Sequence, residues 1–317
     1  MQNHTLAPIV LFVYNRPIHT ERTLKALEQN DLADKSILYI YSDGSKSNSV
    51  KEALNQIQEV RNLSKQNWGF KEVNVIEREK NWGLADNIID GVTKITQKYG
   101  KIIVLEDDIV TAKGFLKYMN QALDLYQNQE QVMHISGYMF PVRKKLPSTF
   151  FYNTASCWGW GTWQRAWEHF EPSAKKLAEE IQSKNKVEAF NIESSYHFYE
   201  DLLANANQTM KTWAVLWYAS MFLKNGHSLH PYPSLTNNIG NDGTGENSQK
   251  LDKFRWKKLA SYIDVKPIDI IPSIKATELM VDFYNPRKSF TERLKIILKK
   301  VIPQSIIFTF KKMIKNA

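Results

Sequence analysis

The chain has 317 residues, of which 43% are hydrophobic and 24% are charged, a composition typical of a globular protein with a sizeable core. These proportions exclude a disordered, collagenous or coiled-coil chain as the main architecture. The single cysteine, Cys157, cannot form an intrachain disulfide, and no Cys/His cluster has the spacing of a zinc site. We therefore expect the protein to work in a reducing compartment.

The net charge of +9 is concentrated at the end of the chain. Nine Lys and Arg residues and one acid lie between Arg287 and Ala317, which leaves the other 286 residues near neutral, at +1. A near-neutral body does not predict nucleic-acid binding. In the tail, apolar residues recur every three or four positions on both sides of Pro303. This pattern favours two basic amphipathic helices on an anionic membrane over an intramolecular lid or an oligomer contact.

Four apolar runs in the first half are each followed by polar residues and then by helical spacing. The runs are Ile9 to Tyr14, Ile37 to Tyr41, Val73 to Ile76 and Ile102 to Leu105. The helical patterns lie around Leu24 and Leu27 and over Val50 to Leu63, Ala85 to Lys98 and Phe115 to Tyr126. This alternation predicts an α/β fold with an open, mostly parallel sheet covered by helices on both faces. Further strands are expected over Val132 to Phe140 and Phe150 to Asn153.

Polar clusters come directly after three of the four apolar runs. They are Asn15-Arg16, Asp43-Gly44 and Glu106-Asp107-Asp108. Each taken singly is also explained by the polar turn that ends any strand. Because open α/β sheets bind ligands beyond the carboxyl ends of their strands, the three together favour a ligand site.

The acidic triplet Glu106-Asp107-Asp108 is the strongest local signal. Three neighbouring carboxylates repel one another unless a cation is present, and Mg²⁺ or Mn²⁺ prefers oxygen ligands of this kind. The alternative is a solvated acidic turn that caps the next helix. Neither a G-x-G-x-x-G dinucleotide fingerprint nor a P-loop is present, so a metal ion would have to bind the phosphates of a nucleotide.

The motifs together resemble glycosyltransferases of the GT-A fold. Three segments are similar to the N-acetylglucosaminyltransferase I family and its bacterial relatives: Val10–Pro17, Asn81–Asn87 and Leu105–Asp108, an E-D-D form of the D-x-D metal motif. Three later segments resemble bacterial glycosyltransferases of surface-polysaccharide loci: Cys157–Trp163, Thr212–Tyr218 and Asn238–Gly243. The resemblance covers most of residues 7 to 245.

The resemblance implies a role for each acid of the triplet. Asp108 would ligate the divalent cation that bridges the donor diphosphate, Asp107 would approach the ribose or the metal shell, and Glu106 would hold hydroxyls of the donor sugar. This agrees with the chemistry, because cleavage of a sugar–phosphate bond develops negative charge on the leaving oxygen and a fixed cation stabilises it.

Five further residues are assigned to the donor by the same resemblance. Asn15, Arg16 and Asp43 would frame the base and ribose, and Asp86 and Asn87 would lie near the donor sugar. The resemblance implies that the donor would be a nucleotide-sugar, with a UDP-sugar favoured.

The resemblance does not identify the general base of this chain, because Met139-Phe140-Pro141 stands where the animal relatives have an Asp. The candidates are Glu200 and Asp201, on a probable helix, and Asp242, in a glycine-rich loop. Each is also explained as a surface charge, and Asp242 alternatively completes the metal or phosphate site. The loop from residue 240 to 245 is either a lid or a plain surface turn. Inversion of the anomeric centre is expected by analogy alone.

Tryptophans are concentrated in the second half of the chain. Trp158 and Trp160 are flanked by glycines that let a backbone approach a ligand, so they are predicted either to form a wall of the acceptor pocket or to fill the core. Trp163 and Trp167 lie four apart on an expected helix, where core packing is favoured.

The sequence thus predicts a metal-dependent glycosyltransferase that transfers a sugar to a glycan or glycolipid of a bacterial capsule or lipopolysaccharide. The catalytic domain is expected over residues 1–282, with a nucleotide-sugar half (1–130) and an acceptor half (131–282), and the membrane tail over 283–317. The enzyme would be cytoplasmic and peripheral on the inner face of the cell membrane. The alternatives are a sugar-1-phosphate nucleotidyltransferase, although its usual glycine-rich loop is missing, and a catalytically silent glycan-binding scaffold.

Overall fold

The computed structural model describes residues 5–240 and 252–285. Its strands are β1 (Ile9–Val13), β2 (Ile37–Ser42), β3 (Glu72–Glu77), β4 (Lys101–Glu106), β5 (Ile109–Thr111), β6 (Val132–Ser136), β7 (Thr149–Tyr152), β8 (Trp160–Trp163), β9 (His227–Pro231) and β10 (Thr236–Asn238). Its α-helices are α1 (Pro17–Glu28), α2 (Lys51–Ser64), α3 (Leu84–Tyr99), α4 (Phe115–Leu125), α5 (Gln164–Trp167), α6 (Ala174–Ser183), α7 (Val187–Phe190), α8 (Phe198–Ala206), α9 (Ala214–Leu223) and α10 (Ile274–Tyr284).

An eight-stranded sheet in the order β3-β2-β1-β4-β8-β6-β9-β7 forms the centre of the molecule. The four strands β3, β2, β1 and β4 are parallel, and β8 is antiparallel to both β4 and β6. The apolar runs of β1 and β4 are almost wholly buried, as a strand covered on both faces requires. The predicted open, mostly parallel α/β sheet is confirmed.

The second half of the chain departs from the expected elements in two places. Strand β6 ends at Ser136 instead of Phe140, because the Ser136 hydroxyl accepts a hydrogen bond from the amide of Tyr138 (3.2 Å) and the chain turns there. Trp163 was expected on a helix. In the structure it is instead the last residue of β8, where it pairs with Lys101 of β4. It is nevertheless buried, as predicted.

The C-terminal helix α10 packs on a second, smaller apolar core that includes Met139 and Phe150. It continues to Tyr284, whose ring lies 5.5 Å from that of Phe140, so it crosses the division expected after residue 282. None of the helices in the described ranges is long and apolar enough to span a bilayer. The basic tail from Arg287 and the loop acid Asp242 lie outside the described residues.

Candidate active site

The sheet changes its strand order between β1 and β4, since the chain adds β2 and β3 on one side of β1 and β4 on the other. Such a switch point leaves a crevice at the carboxyl ends of the strands. The residues that follow β1, β2 and β4 there include Arg16, Asp43 and the triplet from Glu106 to Asp108. The structure therefore brings the three predicted polar clusters to one edge of the sheet.

Arg16 forms an ion-pair clasp with two of the three acids, which sequence reasoning had not foreseen. Its Nη2 contacts Asp107 Oδ1 and also donates to Asp108 Oδ2 at 2.9 Å, while its Nε donates to Asp107 Oδ2 at 3.3 Å. The two aspartates are buried, at 5% and 8% exposure. The hydroxyl of Thr23 on α1 donates to the backbone carbonyl of Asp107 at 2.8 Å and fixes the turn. Arg16 thus holds the aspartates together by neutralising part of their charge.

Asp108 keeps one oxygen without a partner. Its Oδ1 is buried and accepts no hydrogen bond within the described structure, an uncommon state for a buried carboxylate oxygen. The strand pair β5–β10 folds over this point, where Ile239 donates its amide to the Asp108 carbonyl at 2.8 Å. A Cβ at Gly240 would collide with Asp108 Oδ2, so only glycine fits beside the carboxylate.

The electrostatics of the triplet favour uptake of a cation or a proton. Burial, reinforced by repulsion from Asp108 and Asp107, raises the pKa of Glu106 to about 8. Burial also raises the pKa of Asp107 to about 6, although the adjacent Arg16 acts in the opposite direction. One guanidinium therefore does not compensate three carboxylates in this crevice.

Asp43 is buried, and both of its carboxylate oxygens accept hydrogen bonds, mostly from the loop that precedes α3. Its Oδ1 accepts from the amides of Gly44 (2.9 Å) and Trp82 (2.8 Å), and its Oδ2 accepts from the Asn81 side chain (3.0 Å) and the Gly83 amide (2.9 Å). The carboxylate thus fixes the loop formed by residues 81–83. Its expected contact with the base and ribose stays a prediction.

Arg78, directly after β3, is a feature of the site that sequence reasoning missed. Its guanidinium lies 3.9 Å from the centroid of the Trp82 ring and 5.1 Å from that of Tyr41. It donates to Oδ1 of the buried Asn87 at 3.1 Å and forms an ion pair with Asp90. Its place at a strand end is a signal, but that signal does not distinguish it from the neighbouring Glu79 and Lys80. Asn87 therefore positions Arg78, and its expected role near the donor sugar is untested.

Other predicted residues lie at the margins of the crevice. Asn15 is half-buried between β1 and Arg16. Asp86 is exposed in the first turn of α3 and pairs with Lys211 at 2.7 Å, which joins α3 to the segment between α8 and α9. Glu200 is exposed and Asp201 half-buried, both in the first turn of α8.

The two glycine-flanked tryptophans have different environments. Trp160 has no exposed surface and packs between the rings of His134 and Trp213, with centroids at 5.2 Å in both cases. Of the two predicted roles, this enclosure favours filling the core over forming a pocket wall. Trp158 is half-buried and contacts the rings of Tyr138 and Phe254.

The residues at the end of β4 fit a divalent cation only in part. No group of three or more His, Cys, Asp and Glu side chains converges on a metal position anywhere in residues 5–240 and 252–285. The unpartnered Oδ1 of Asp108 is nevertheless the kind of oxygen that Mg²⁺ and Mn²⁺ bind, and such ions commonly use one or two carboxylates together with substrate phosphates. The site fits a cation that takes some of its ligands from the protein and the others from a bound diphosphate.

A family model described as glycosyl transferase family 2 matches residues 9–179, more than half of the chain. The match includes strands β1 to β4 and the acidic triplet. No curated protein sequence is significantly similar to this chain.

Several solved structures are similar at low identity. The mannosyltransferase PcManGT from Pyrobaculum calidifontis, in complex with GDP-Man and Mn²⁺, is 12% identical, with 69% of this chain and 71% of that chain covered and a TM-score of 0.38. TarS 1–349 from S. aureus is 13% identical, with 72% of this chain and 59% of that chain covered and a TM-score of 0.37. Mouse xyloside xylosyltransferase 1 is 11% identical, with coverages of 68% and 80% and a TM-score of 0.33.

Proposed function

This chain belongs to glycosyl transferase family 2 and has the GT-A fold, and on that premise we propose a specific reaction for this nucleotide-sugar glycosyltransferase. It transfers a sugar from a UDP-sugar, with a divalent cation at Asp108, to a glycan or glycolipid acceptor of a bacterial surface polysaccharide. The anomeric centre is inverted. With the family assigned, neither the sugar-1-phosphate nucleotidyltransferase nor the silent scaffold is supported.

The observation that carries the cation in this proposal is the unpartnered Oδ1 of Asp108. This oxygen lies at the carboxyl end of β4, beside the switch point of the sheet, where open α/β folds bind ligands. A buried acceptor without a donor is costly, and a cation removes that cost. When bound, Mn²⁺ or Mg²⁺ would stabilise the negative charge that develops on the diphosphate leaving group.

The chain's own residues orient and neutralise the donor side of the site. Arg16 holds Asp107 and Asp108 in a fixed arrangement and adds positive charge beside the diphosphate. Thr23 anchors the Asp107 backbone from α1, and Gly240 allows the β10 segment to lie directly against Asp108. Such preorganisation costs no rearrangement when the sugar–phosphate bond breaks.

We propose Asp201, the less exposed of the two acids in the first turn of α8, as the general base. The pKa of Asp201 is raised, mainly by burial and also by the neighbouring Glu200 charge, which makes its carboxylate a stronger proton acceptor. Glu200 is more exposed and accepts a hydrogen bond from Asn191 at 3.2 Å. One turn after Asp201, the Asn205 side chain accepts a hydrogen bond from the Thr212 amide. The preceding residue, Lys211, pairs with Asp86, so these contacts connect α8 to the start of α3. Asp242 remains the alternative base or an additional ligand of the cation.

We propose that the second half of the chain binds the acceptor and the membrane. Trp158 is half-buried, and an aromatic ring suits the apolar face of an acceptor sugar. The basic tail from Arg287 to Ala317 would hold the enzyme on the anionic inner face of the cell membrane, where lipid-linked acceptors are assembled.

Calorimetry with UDP and GDP, in the presence and absence of Mn²⁺, tests the donor and the cation. We expect UDP to bind more tightly than GDP and only weakly when Mn²⁺ is removed. Donors that bind are then tested for turnover, and the anomeric configuration of the product is read by NMR. Equal UDP affinity with and without Mn²⁺ would contradict the role of Asp108, and retention of configuration would contradict Asp201 as the base.

A further inference from the structure

Trp82 lies in the loop between β3 and α3, at the carboxyl edge of the parallel strands. We propose that its ring is the stacking platform for the nucleobase of the donor and that Asp43 is the positioning residue that holds the platform in place. This inference rests on the proposed use of a nucleoside diphosphate donor and adds the residue that receives the base.

The backbone of the platform loop is fixed from the end of β2. Asp43 accepts the amide hydrogens of Trp82 and Gly83 and the Asn81 side chain at 2.8–3.0 Å. On the same side, a Cβ at Gly44 would overlap the backbone of Lys80, so the two loops are in direct contact. A loop with this many buried bonds loses little conformational entropy when a ligand docks on it.

The ring of Trp82 is backed on one face by Arg78. The guanidinium lies 3.9 Å from the ring centroid and is itself held by Asn87 and Asp90. Arg78 is nearly buried, with 10% of its side chain exposed, whereas Trp82 is half-buried. In the part of the chain that the structure describes, Arg78 is the one cation or ring found stacked on Trp82. We place the planar ligand on the opposite face.

The position of Trp82 along the sheet matches the length of a nucleoside diphosphate. The platform loop lies at the ends of β2 and β3, and Asp108 lies at the end of β4, with β1 between them. Two to three strand spacings separate these points, roughly 10–14 Å. An extended nucleoside diphosphate with its phosphates at Asp108 would bring its base to Trp82 and its ribose past Arg16.

The test compares nucleotide affinities of the full chain and two Trp82 variants in the presence of Mn²⁺. Trp82→Leu removes the aromatic face, and Trp82→Phe retains it. UDP affinity is measured by calorimetry, and pyrophosphate is measured as a competitor of UDP. Because stacking on an aromatic side chain contributes substantially for each base, we expect Trp82→Leu to weaken UDP binding about 5- to 100-fold and to leave the pyrophosphate constant unchanged within twofold. Trp82→Phe should restore most of the loss.

Three results would overturn the platform. UDP affinity could be unchanged in Trp82→Leu, it could fall by the same factor as pyrophosphate affinity, or Trp82→Phe could be as impaired as Trp82→Leu. The last two would mean that Trp82 only packs the loop around Arg78. If the wild-type chain bound neither UDP nor another nucleoside diphosphate, the donor proposal itself would fail. If UDP binding depended on the metal but not on Trp82, the stacking platform would be refuted and the donor proposal would stand.

Discussion

Arg16 Nη2 donates to Asp108 Oδ2 at 2.9 Å while the other carboxylate oxygen of Asp108 stays buried and unpartnered. One arginine thus satisfies only half of the carboxylate. The same guanidinium also contacts Asp107, so two acids share one positive charge. This unbalanced cluster is the physical basis of the proposed donor site and of the first two predictions.

Replacing Asp108 with Asn should abolish Mn²⁺-dependent UDP binding and reduce turnover by about 100-fold or more, because the change removes the carboxylate proposed to hold the cation that stabilises the leaving group. Calorimetry and initial rates measure the two effects. Asp124→Asn is the matched control, since Asp124 pairs with Lys101 at the opposite end of β4. Equal losses in both variants would mean that the effect on turnover is structural.

Replacing Arg16 with Met should destabilise the metal-free protein by about 2–4 kcal/mol, since it leaves two largely buried aspartates without their counter-charge. Mn²⁺ should then raise the melting temperature more in the variant than in the wild type, because the cation takes over part of the neutralisation. Lys101→Met, which breaks the other ion pair of β4, should show no such Mn²⁺ dependence. An Arg16→Met variant with wild-type stability would show that the clasp contributes nothing.

The two buried histidines should each contribute a loss of stability in mild acid. Burial lowers the pKa of His134 to about 3 and that of His230 to about 4, so both are neutral in the folded chain. The unfolded chain binds protons at these positions near pH 6.5, so the contribution of the two histidines to the free energy of unfolding falls as the pH is lowered from about 6.5 to 4, whereas the raised pKa values of Glu106 and Asp107 act in the opposite direction.

Urea unfolding at several pH values measures this slope. Relative to the wild type, His134→Gln should lose less stability or gain more as the pH is lowered from about 6.5 to 4, whereas His169→Gln, on an exposed residue, should follow the wild type. A slope that is the same in all three proteins would contradict the assignment.

The two glycine-flanked tryptophans should respond differently to truncation. Trp160→Ala should destabilise the protein by about 3–5 kcal/mol, because its ring is wholly enclosed by other aromatic side chains. Trp158→Leu should instead raise the acceptor KM and change the melting temperature little, since Trp158 is half-buried. Thermal unfolding and acceptor kinetics separate these outcomes, and an unaltered acceptor KM would remove Trp158 from the acceptor site.

Truncation after Asn285 should abolish binding to vesicles that contain anionic phospholipid and spare activity on a soluble acceptor. This boundary retains α10, whose Phe283 and Tyr284 pack on Phe140. Co-sedimentation with anionic and neutral vesicles measures the binding. Undiminished sedimentation of the truncated chain with anionic vesicles would show that another surface attaches the enzyme.

The order of strands and helices in the first half followed from the sequence, because buried parallel strands must be continuous apolar runs and polar residues must follow them. That rule also led to Arg16, Asp43 and the acidic triplet. The local pattern could not separate Trp158 from Trp160, since the two lie in the same glycine-flanked stretch and differ only in what packs on them. It likewise left Arg78 indistinguishable from its charged neighbours.

The sequence by itself determined the family, the parallel sheet and the edge at which the site lies, because each depends on short-range patterns of apolar and polar residues. Only the tertiary structure decided that Arg16 clasps Asp107 and Asp108, that Asp43 holds the Trp82 loop, and that Trp160 is enclosed. These contacts join residues 38 to 92 positions apart, or enclose a ring between several elements. Periodicity reports which face a residue occupies, but partners so distant in the chain are chosen only when the strands assemble.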